Sequence, residues 1–377
     1  MTYRLIGVCS HDLIPYLKEE IVNLGGKDLH VGHRAIYFDA SEEVYYRVHL
    51  FSRIATRFYR IIKEFPGHSP TIIFDKAKRF NYATLFDANL PIRIQAISLD
   101  QNPKVETHLV GTKIREAITD SFKHYSKVEP KTSSYEAKVL LNAVQDRNRI
   151  YLSVDTAHKS LHKRGYRVEG HAAPLKENLA AALLSAVGYD GSQAFYDPMC
   201  GSGTIVIEAS QVAMNKAAMI HRKKGEFGFE ELKDFNRGLW KKTQDEARQN
   251  ASEPKNQIFA SDIDNQHVEI AKEAALKARV EKYISFRCQD FFGSQRPADS
   301  GIMVMNLPYG MRLSEQPLDQ GFLDQLAETL KAGYKGWRVG LLMPKEVKKS
   351  LLPFKTQKTL DFLNGKIKVQ FLVFDVF

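Results

Sequence analysis

One nine-residue stretch, Tyr196–Thr204 (Y-D-P-M-C-G-S-G-T), restricts the folds open to this chain more than any other. A short apolar run, Ala194-Phe195-Tyr196, leads into it, and Ile205-Val206-Ile207-Glu208-Ala209 leads out. That pattern reads as a buried strand turning tightly into a helix. Gly201 and Gly203 admit positive φ and let a ligand approach with no Cβ in the way. Asp197 then stands at the carboxyl end of the strand, where open α/β sheets bind their ligands. A dinucleotide fingerprint requires a third glycine at position 206, which is Val206, and no G-x-x-x-x-G-K-[ST] occurs. Neither an NAD site nor a phosphate-cradling loop is therefore indicated.

The 377 residues imply two or three domains, and the 44% apolar content supports sizeable cores. No apolar run approaches the ~18 residues that span a bilayer, and the N-terminus (M-T-Y-R-L-I) lacks a signal-peptide core. Cys9, Cys200 and Cys288 are far apart and fit neither a zinc pattern nor a disulfide framework, so no metal is expected. A reducing cytoplasm is the expected compartment. The net charge of +10 is uneven: residues 1–165 carry 25 Lys+Arg against 18 Asp+Glu, the remainder 29 against 26. The front half is the part expected to meet a polyanion.

In that half, Tyr3–Cys9, Ala35–Phe38 and Thr56–Phe65 read as strands. Amphipathic helices run between them through Ile14–Leu24 and from Ser41-Glu42-Glu43, giving a small α+β sandwich. Beyond the breaks at Pro66-Gly67 and Ser69-Pro70, Pro91–Ser98 alternates as a half-buried strand. Gly111–Tyr125 is a helix with Ile114, Ala117, Ile118 and Phe122 on one face. Lys113, Arg115 and Lys123 project from its other side as a phosphate-tracking set. Lys138–Ala143 and Arg149–Val154 are strands joined at Asp146-Arg147-Asn148.

The back half continues the βα series. Pro174 fixes the start of a helix, setting Glu177 and Asn178 at its amino end, able to face a ligand above the sheet. Ile258–Ser261 ends in Asp262-Ile263-Asp264 and leads into a helix over Gln266–Ala278; Asp262 suits the hydroxyls of a bound ribose. The 59-residue gap from Gly203 to Asp262 holds a charged insertion with no role legible in its sequence. Ile284–Cys288 is closed by Gln289-Asp290-Phe291, where Asp290 suits an adenine amine. Gly301–Met305 runs into Asn306-Leu307-Pro308-Tyr309-Gly310. A helix over Phe322–Ala332, a strand over Trp337–Met343 and a helix over Lys345–Leu351 follow. A hairpin (Lys358–Leu363, Lys366–Phe374) then turns at Asn364-Gly365.

Asn306–Tyr309 carries the most specific chemistry. An exocyclic purine amine is a poor nucleophile because its lone pair is delocalised into the ring. Acceptors for its N–H groups turn that lone pair toward an electrophile, and the Asn306 side-chain oxygen and Leu307 carbonyl suit the task. Pro308 stiffens the loop, and Tyr309 offers a face on which an extruded base stacks.

Several of these segments resemble one known family. The helix V-G-T-K-I-R-E-A-I (110–118) between strands resembles the THUMP module of RNA-modifying enzymes. Leu161–Arg167 (L-H-K-R-G-Y-R) and Ala173–Ala182 (A-P-L-K-E-N-L-A-A-A) resemble the junction and first helix of guanine-N2 RNA methyltransferases. The likeness covers essentially the whole chain, weak at the N-terminus and strong from Leu161, and points to the bacterial 23S rRNA (guanine-N2-)-methyltransferases.

The resemblance implies a Rossmann-like, seven-stranded class I methyltransferase domain over 187–377, reached through a linker and helix at 159–186. Ahead of these it implies a ferredoxin-like domain at 1–65 and an RNA-binding THUMP domain at 66–158. It implies S-adenosylmethionine held by Asp197, Gly201, Gly203, Thr204, Asp262, Asp290, Glu177 and Asn178. RNA would be held by Lys113, Arg115, Lys123, Arg164 and Arg167, and the target base by Asn306, Leu307, Pro308 and Tyr309. The family's commoner N-P-P-Y is here N-L-P-Y, a change that leaves a backbone carbonyl in place. Relatives acting on tRNA share every motif, and N-x-P-Y loops also serve DNA adenine-N6 methyltransferases. The basic front end and the lack of a groove-reading insert favour structured RNA. Many family members carry a second, cytosine-modifying methyltransferase; this sequence stops after its first, so a single activity is expected.

Overall fold

The computed structural model describes residues 1–133, 135–168, 175–308, 318 and 320–377. The chain divides into two compact units: Met1–Lys163 with Arg222–Gln244, and Arg164–His221 with Asp245–Phe377.

In the first unit the elements are β1 (Thr2–Val8), α1 (Ile14–Asn23), β2 (Lys27–Val31), β3 (Ala35–Ser41), α2 (Glu42–Phe51), β4 (Arg57–Pro66), α3 (Pro70–Ala77), β5 (Ile92–Ser98), α4 (Thr107–Ser126), β6 (Val139–Asp146) and β7 (Arg149–Asp155). Local chemistry accounts for several boundaries. The Ser41 hydroxyl accepts the Val44 N–H at the start of α2, and Ser69 does the same for Ile72 ahead of Pro70 in α3. Arg147 and Asn148 take left-handed φ to close the β6–β7 hairpin. The strands form one sheet in the order β2-β3-β1-β4-β7-β6-β5, antiparallel except for the β5–β6 pair. Strand β4 joins its halves, pairing with β1 on one side and β7 on the other, out to Pro66 opposite Arg149.

The insertion belongs to this unit. Phe227 and Phe229 stack with ring centroids 4.9 Å apart, and Trp240 meets both edge-on. Phe229 in turn packs on Tyr46 and His49 of α2. Polar contacts fix the same segment: Tyr46 Oη accepts the Asn236 N–H (2.8 Å), and the nearly buried Arg60 pairs with Asp234 (2.7 Å). Gly228 lies so close to β7 that a Cβ there would sit 2.2 Å from the Asp155 carbonyl oxygen.

Beneath these rings His49 is fully buried. Its Nδ1–H donates to the Tyr45 carbonyl (2.7 Å), and its Nε2 lies 2.8 Å from the Thr156 hydroxyl, which itself donates to the Phe58 carbonyl (2.8 Å).

The second unit contains α5 (Glu177–Val187), β8 (Phe195–Asp197), α6 (Thr204–Ala213), the end of α7 (Arg237–Gln249), β9 (Ile258–Asp262), α8 (Asn265–Lys277), β10 (Ile284–Cys288), β11 (Gly301–Asn306), α9 (Gln320–Gly333), β12 (Trp337–Pro344), β13 (Lys358–Asn364) and β14 (Ile367–Asp375). Its sheet order is β10-β9-β8-β11-β12-β14-β13, parallel throughout except for β14. The strands buried on both faces are runs of apolar residues, as parallel strands between helices require. One expected helix is absent: Lys345–Leu351 forms only a short 3-10 turn at Lys349–Leu351. The Lys345 N–H instead donates to the Lys368 carbonyl, and its ammonium pairs with Asp361 of β13, so the hairpin holds the start of that segment. No helix of the described residues is long and apolar enough to cross a membrane.

Burial pushes the His49 imidazole down from 6.5 to about 3. Between those values the unfolded chain carries a proton that the folded chain refuses. The stability due to neutral His49 is therefore complete above pH ~6.5 and falls as the pH drops toward ~3. Thermal midpoints of the wild type and His49→Gln, followed from pH 7 to pH 5, are expected to show the steeper acid loss in the wild type. Parallel curves would mean that His49 takes up its proton in the folded state.

Candidate active site

The sheet order puts the ends of β10, β9, β8 and β11 side by side, so Asp290, Asp262, Asp197 and Asn306 line up along one edge. The loop after β8 is shaped by its neighbour β9. Cys200 donates its N–H to the Ser261 carbonyl (2.9 Å), Gly201 donates to Asp262 Oδ2 (2.8 Å), and Tyr196 Oη meets Ser261 Oγ (2.7 Å). Gly201 and Gly203 both have positive φ (51° and 79°), and a Cβ on Gly203 would lie 2.9 Å from that of Ala271 on α8. Only glycine satisfies both the turn and that helix approach. Thr204 follows as the first residue of α6, buried beside the loop.

The loop and β11 border a small open cleft, lined among others by Leu175, Cys200, Gly201, Thr204, Ile205 and Asn306. Burial pushes the Cys200 thiol far up, which makes it a neutral part of the wall and not a nucleophile.

The two central carboxylates differ sharply. Burial acts to raise Asp262, but hydrogen bonds from His267 Nδ1 (3.3 Å), the Asp264 N–H (3.1 Å) and the Gly201 N–H outweigh it and leave Asp262 below the usual carboxylate range. Asp197 is raised well above that range, first by burial and then by the Asp262 charge; the Met199 and Val206 amides oppose this. Those amides act on it without closing a full hydrogen bond: both Asp197 carboxylate oxygens lack a partner among the described residues. Asn306 Oδ1 is likewise buried and without a donor. Asn306 lines the cleft, and a buried oxygen left unsatisfied there suits a ligand that brings N–H groups or positive charge.

The other residues singled out from sequence fall as follows. Asp290 is exposed and accepts the Phe292 N–H (3.0 Å), and Asp264 caps α8 through Gln266 (2.8 Å). Glu177 is fully buried, with both oxygens held by Arg167 at 2.7 Å, while Asn178 is buried alongside. Arg167 also donates to the Leu175 carbonyl (2.7 Å), so it braces the segment that walls the cleft. Arg164 is enclosed with Glu208, both side chains almost fully buried, and Tyr166 donates to the same carboxylate. That arrangement leaves no guanidinium face for a phosphate. On α4, Lys113 pairs with Glu116 and Lys123 with Glu129, while Arg115 is exposed. Leu307 is buried and donates its N–H to Leu342, and Pro308 follows it; Tyr309 lies outside the described residues, as does Pro174. Sequence reasoning missed His267. Its place in the first turn of the helix after D-I-D, five residues beyond Asp262, was the signal for it.

A parallel sheet of this strand order, with a glycine loop after its first strand and acidic residues at the next two strand ends, defines a class I methyltransferase fold. The chain belongs to the family of the RMKL-like methyltransferase domain, whose model matches residues 164–371; the RlmL ferredoxin-like domain matches residues 4–59. The ribosomal RNA large subunit methyltransferase K/L of Vibrio campbellii is 31% identical over 371 residues, covering 97% of this chain and 52% of the relative. The chain thus spans about half the length of the curated relatives it matches. Among solved structures, SMU.472 complexed with SAH superposes with a TM-score of 0.88 at 25% identity, covering 100% of this chain and 98% of that one. A chain of Clostridium difficile 630 solved as a possible methylase gives 0.88 at 26% identity, with the same coverage.

Asp197→Asn replaces a buried carboxyl that has no hydrogen-bond partner among the described residues. The variant is expected to melt higher than the wild type at neutral pH, and the gap should widen as the pH rises above the ordinary carboxylate range, because the folded wild type resists losing that proton. A variant that melts lower at every pH would show that Asp197 is already satisfied within the protein.

Proposed function

We propose that this chain transfers a methyl group from S-adenosylmethionine to the exocyclic N2 amine of a guanosine in structured RNA, with 23S rRNA as the substrate. The observation that carries the reading is the buried Asn306 oxygen, without a hydrogen-bond partner among the described residues, on the wall of the cleft at the glycine loop; Asp197, in the same condition, ends the strand that leads into that loop. The name of the Vibrio relative and the SAH complex of SMU.472 support substrate and cofactor respectively.

Asp197, Gly201, Gly203, Thr204, Asp262 and Asp290 would hold the cofactor, whose sulfonium supplies a methyl group already activated for transfer. Asp262 is ionised and faces the loop, as a residue that takes ribose hydroxyls needs to be. Asn306 Oδ1 accepts an N–H of the target amine and so turns its lone pair out of conjugation with the ring; the Leu307 carbonyl serves the second N–H. The amine's N–C bond would form as the donor's S–C bond breaks, S-adenosylhomocysteine would leave, and the surplus proton would pass to water while these acceptors hold the nitrogen. Pro308 restricts the loop, and Tyr309 is the stacking face for the extruded base. Positioning carries most of the acceleration, since neither the methyl donor nor the acceptors change charge state beforehand.

Asn306→Ala tests the assignment. Methyl transfer to a 23S rRNA transcript should fall by roughly 10²–10³, the usual effect of losing one preorganised hydrogen bond to the reacting group. S-adenosylhomocysteine affinity, measured by calorimetry, should stay within about threefold. Equal loss of both would move Asn306 from the reacting centre to the cofactor pocket.

A further inference from the structure

The geometry points to Lys63, Lys76 and Arg79 as a phosphodiester-binding cluster on the first unit, the place where an RNA backbone is gripped. This rests on the RNA reading above and adds the contact surface to it. Lys63 lies on β4, Lys76 in the last turn of α3, and Arg79 just past that helix's C-cap at Lys78. Helix α3 packs against β4, so the strand residue and the helix end come together. A bulge between Ile61 and Lys63 shifts the β4–β7 register and puts Lys63 opposite the fully buried Leu152. Cross-strand partners share a sheet face. A lysine therefore stands on a face that packing alone would fill with an apolar residue.

The charges around it are of one sign. Burial, and then the charges of Arg79 and Lys76, hold the Lys63 ammonium below the usual lysine range. Nearby acids are engaged elsewhere: Asp75 pairs with Lys78 (3.3 Å), and Glu64 with Arg149 (3.8 Å). On α4, by contrast, Lys113 and Lys123 each face their own glutamate, which a phosphate would have to displace. Clustered cations without counter-charges repel one another, and an incoming polyanion relieves that repulsion while releasing its own counterions. A protein partner would want exposed apolar surface at the centre of its contact. None of the large exposed apolar residues lies on β4 or α3.

The test uses the full chain and an in vitro 23S rRNA transcript, with affinity measured across a salt series and S-adenosylhomocysteine binding and melting as controls. Replacing all three cations (K63Q, K76Q, R79Q) should lower the slope of log K against log salt by about 2 to 3, and weaken binding at least ~30-fold near 0.1 M salt. Cofactor affinity should not move, and the melting temperature should not fall. The paired variant K113Q, K123Q should change the slope by less than about one. Should the triple variant misfold, the exposed Arg79→Gln alone is expected to remove about one from the slope. Wild-type binding with an unchanged slope in the folded variants overturns the cluster and leaves the RNA reading intact. Failure of the wild type to bind the transcript at about 50 mM salt, with cofactor binding normal, removes both. Tighter binding to polyglutamate than to the transcript overturns the cluster in favour of an acidic protein partner.

Discussion

The bond from the Gly201 N–H to Asp262 Oδ2 joins the ends of two neighbouring strands, and the character of the cleft follows from it. With two further donors, it keeps Asp262 charged in a largely buried position. That charge then disfavours ionisation of Asp197, one strand away and deeper. One carboxylate is spent on building the loop. Among the described residues the other has no hydrogen-bond donor, and Asn306 shares that condition. Two like groups pushed in opposite directions by their surroundings are common at ligand sites.

The first unit rests on a different constraint. Its aromatic layer is completed by residues from far along the chain: Phe227, Phe229 and Trp240 cover Tyr46 and His49, and Arg60 meets Asp234. The chain therefore passes between the units three times, after Lys163, His221 and Gln244. Residues 1–163 by themselves would lack the rings that keep His49 dry and neutral.

Much of this was legible beforehand, and the misses have physical causes. The parallel strands were clear because strands buried on both faces must be apolar throughout, and turn chemistry at Asn364-Gly365 and Arg147-Asn148 marked the hairpins. Strand β2 was invisible: K-D-L-H-V sits at a sheet edge with almost every side chain exposed, so no alternation records it. Helix α3 hid behind Ser69-Pro70, which reads equally as a break or as a cap with a first-turn proline. The strand-end array, Asp197, Asp262, Asp290 and Asn306, was readable from position alone. The partners of Arg164 and Arg167 were not, because Glu208 and Glu177 reach them only through the tertiary fold. A basic motif looks the same whether it faces phosphate or a buried glutamate. The insertion's attachment to the first unit was hidden for the same reason.

A crystal structure of the chain with S-adenosylhomocysteine tests the central claim most directly. The account requires the ligand in the cleft at the glycine loop, its ribose at Asp262, its sulfur within reach of a base held by Asn306, and Asp197 no longer without a hydrogen-bond partner. A ligand bound elsewhere, with the Asp197 and Asn306 oxygens still unpartnered, would contradict it.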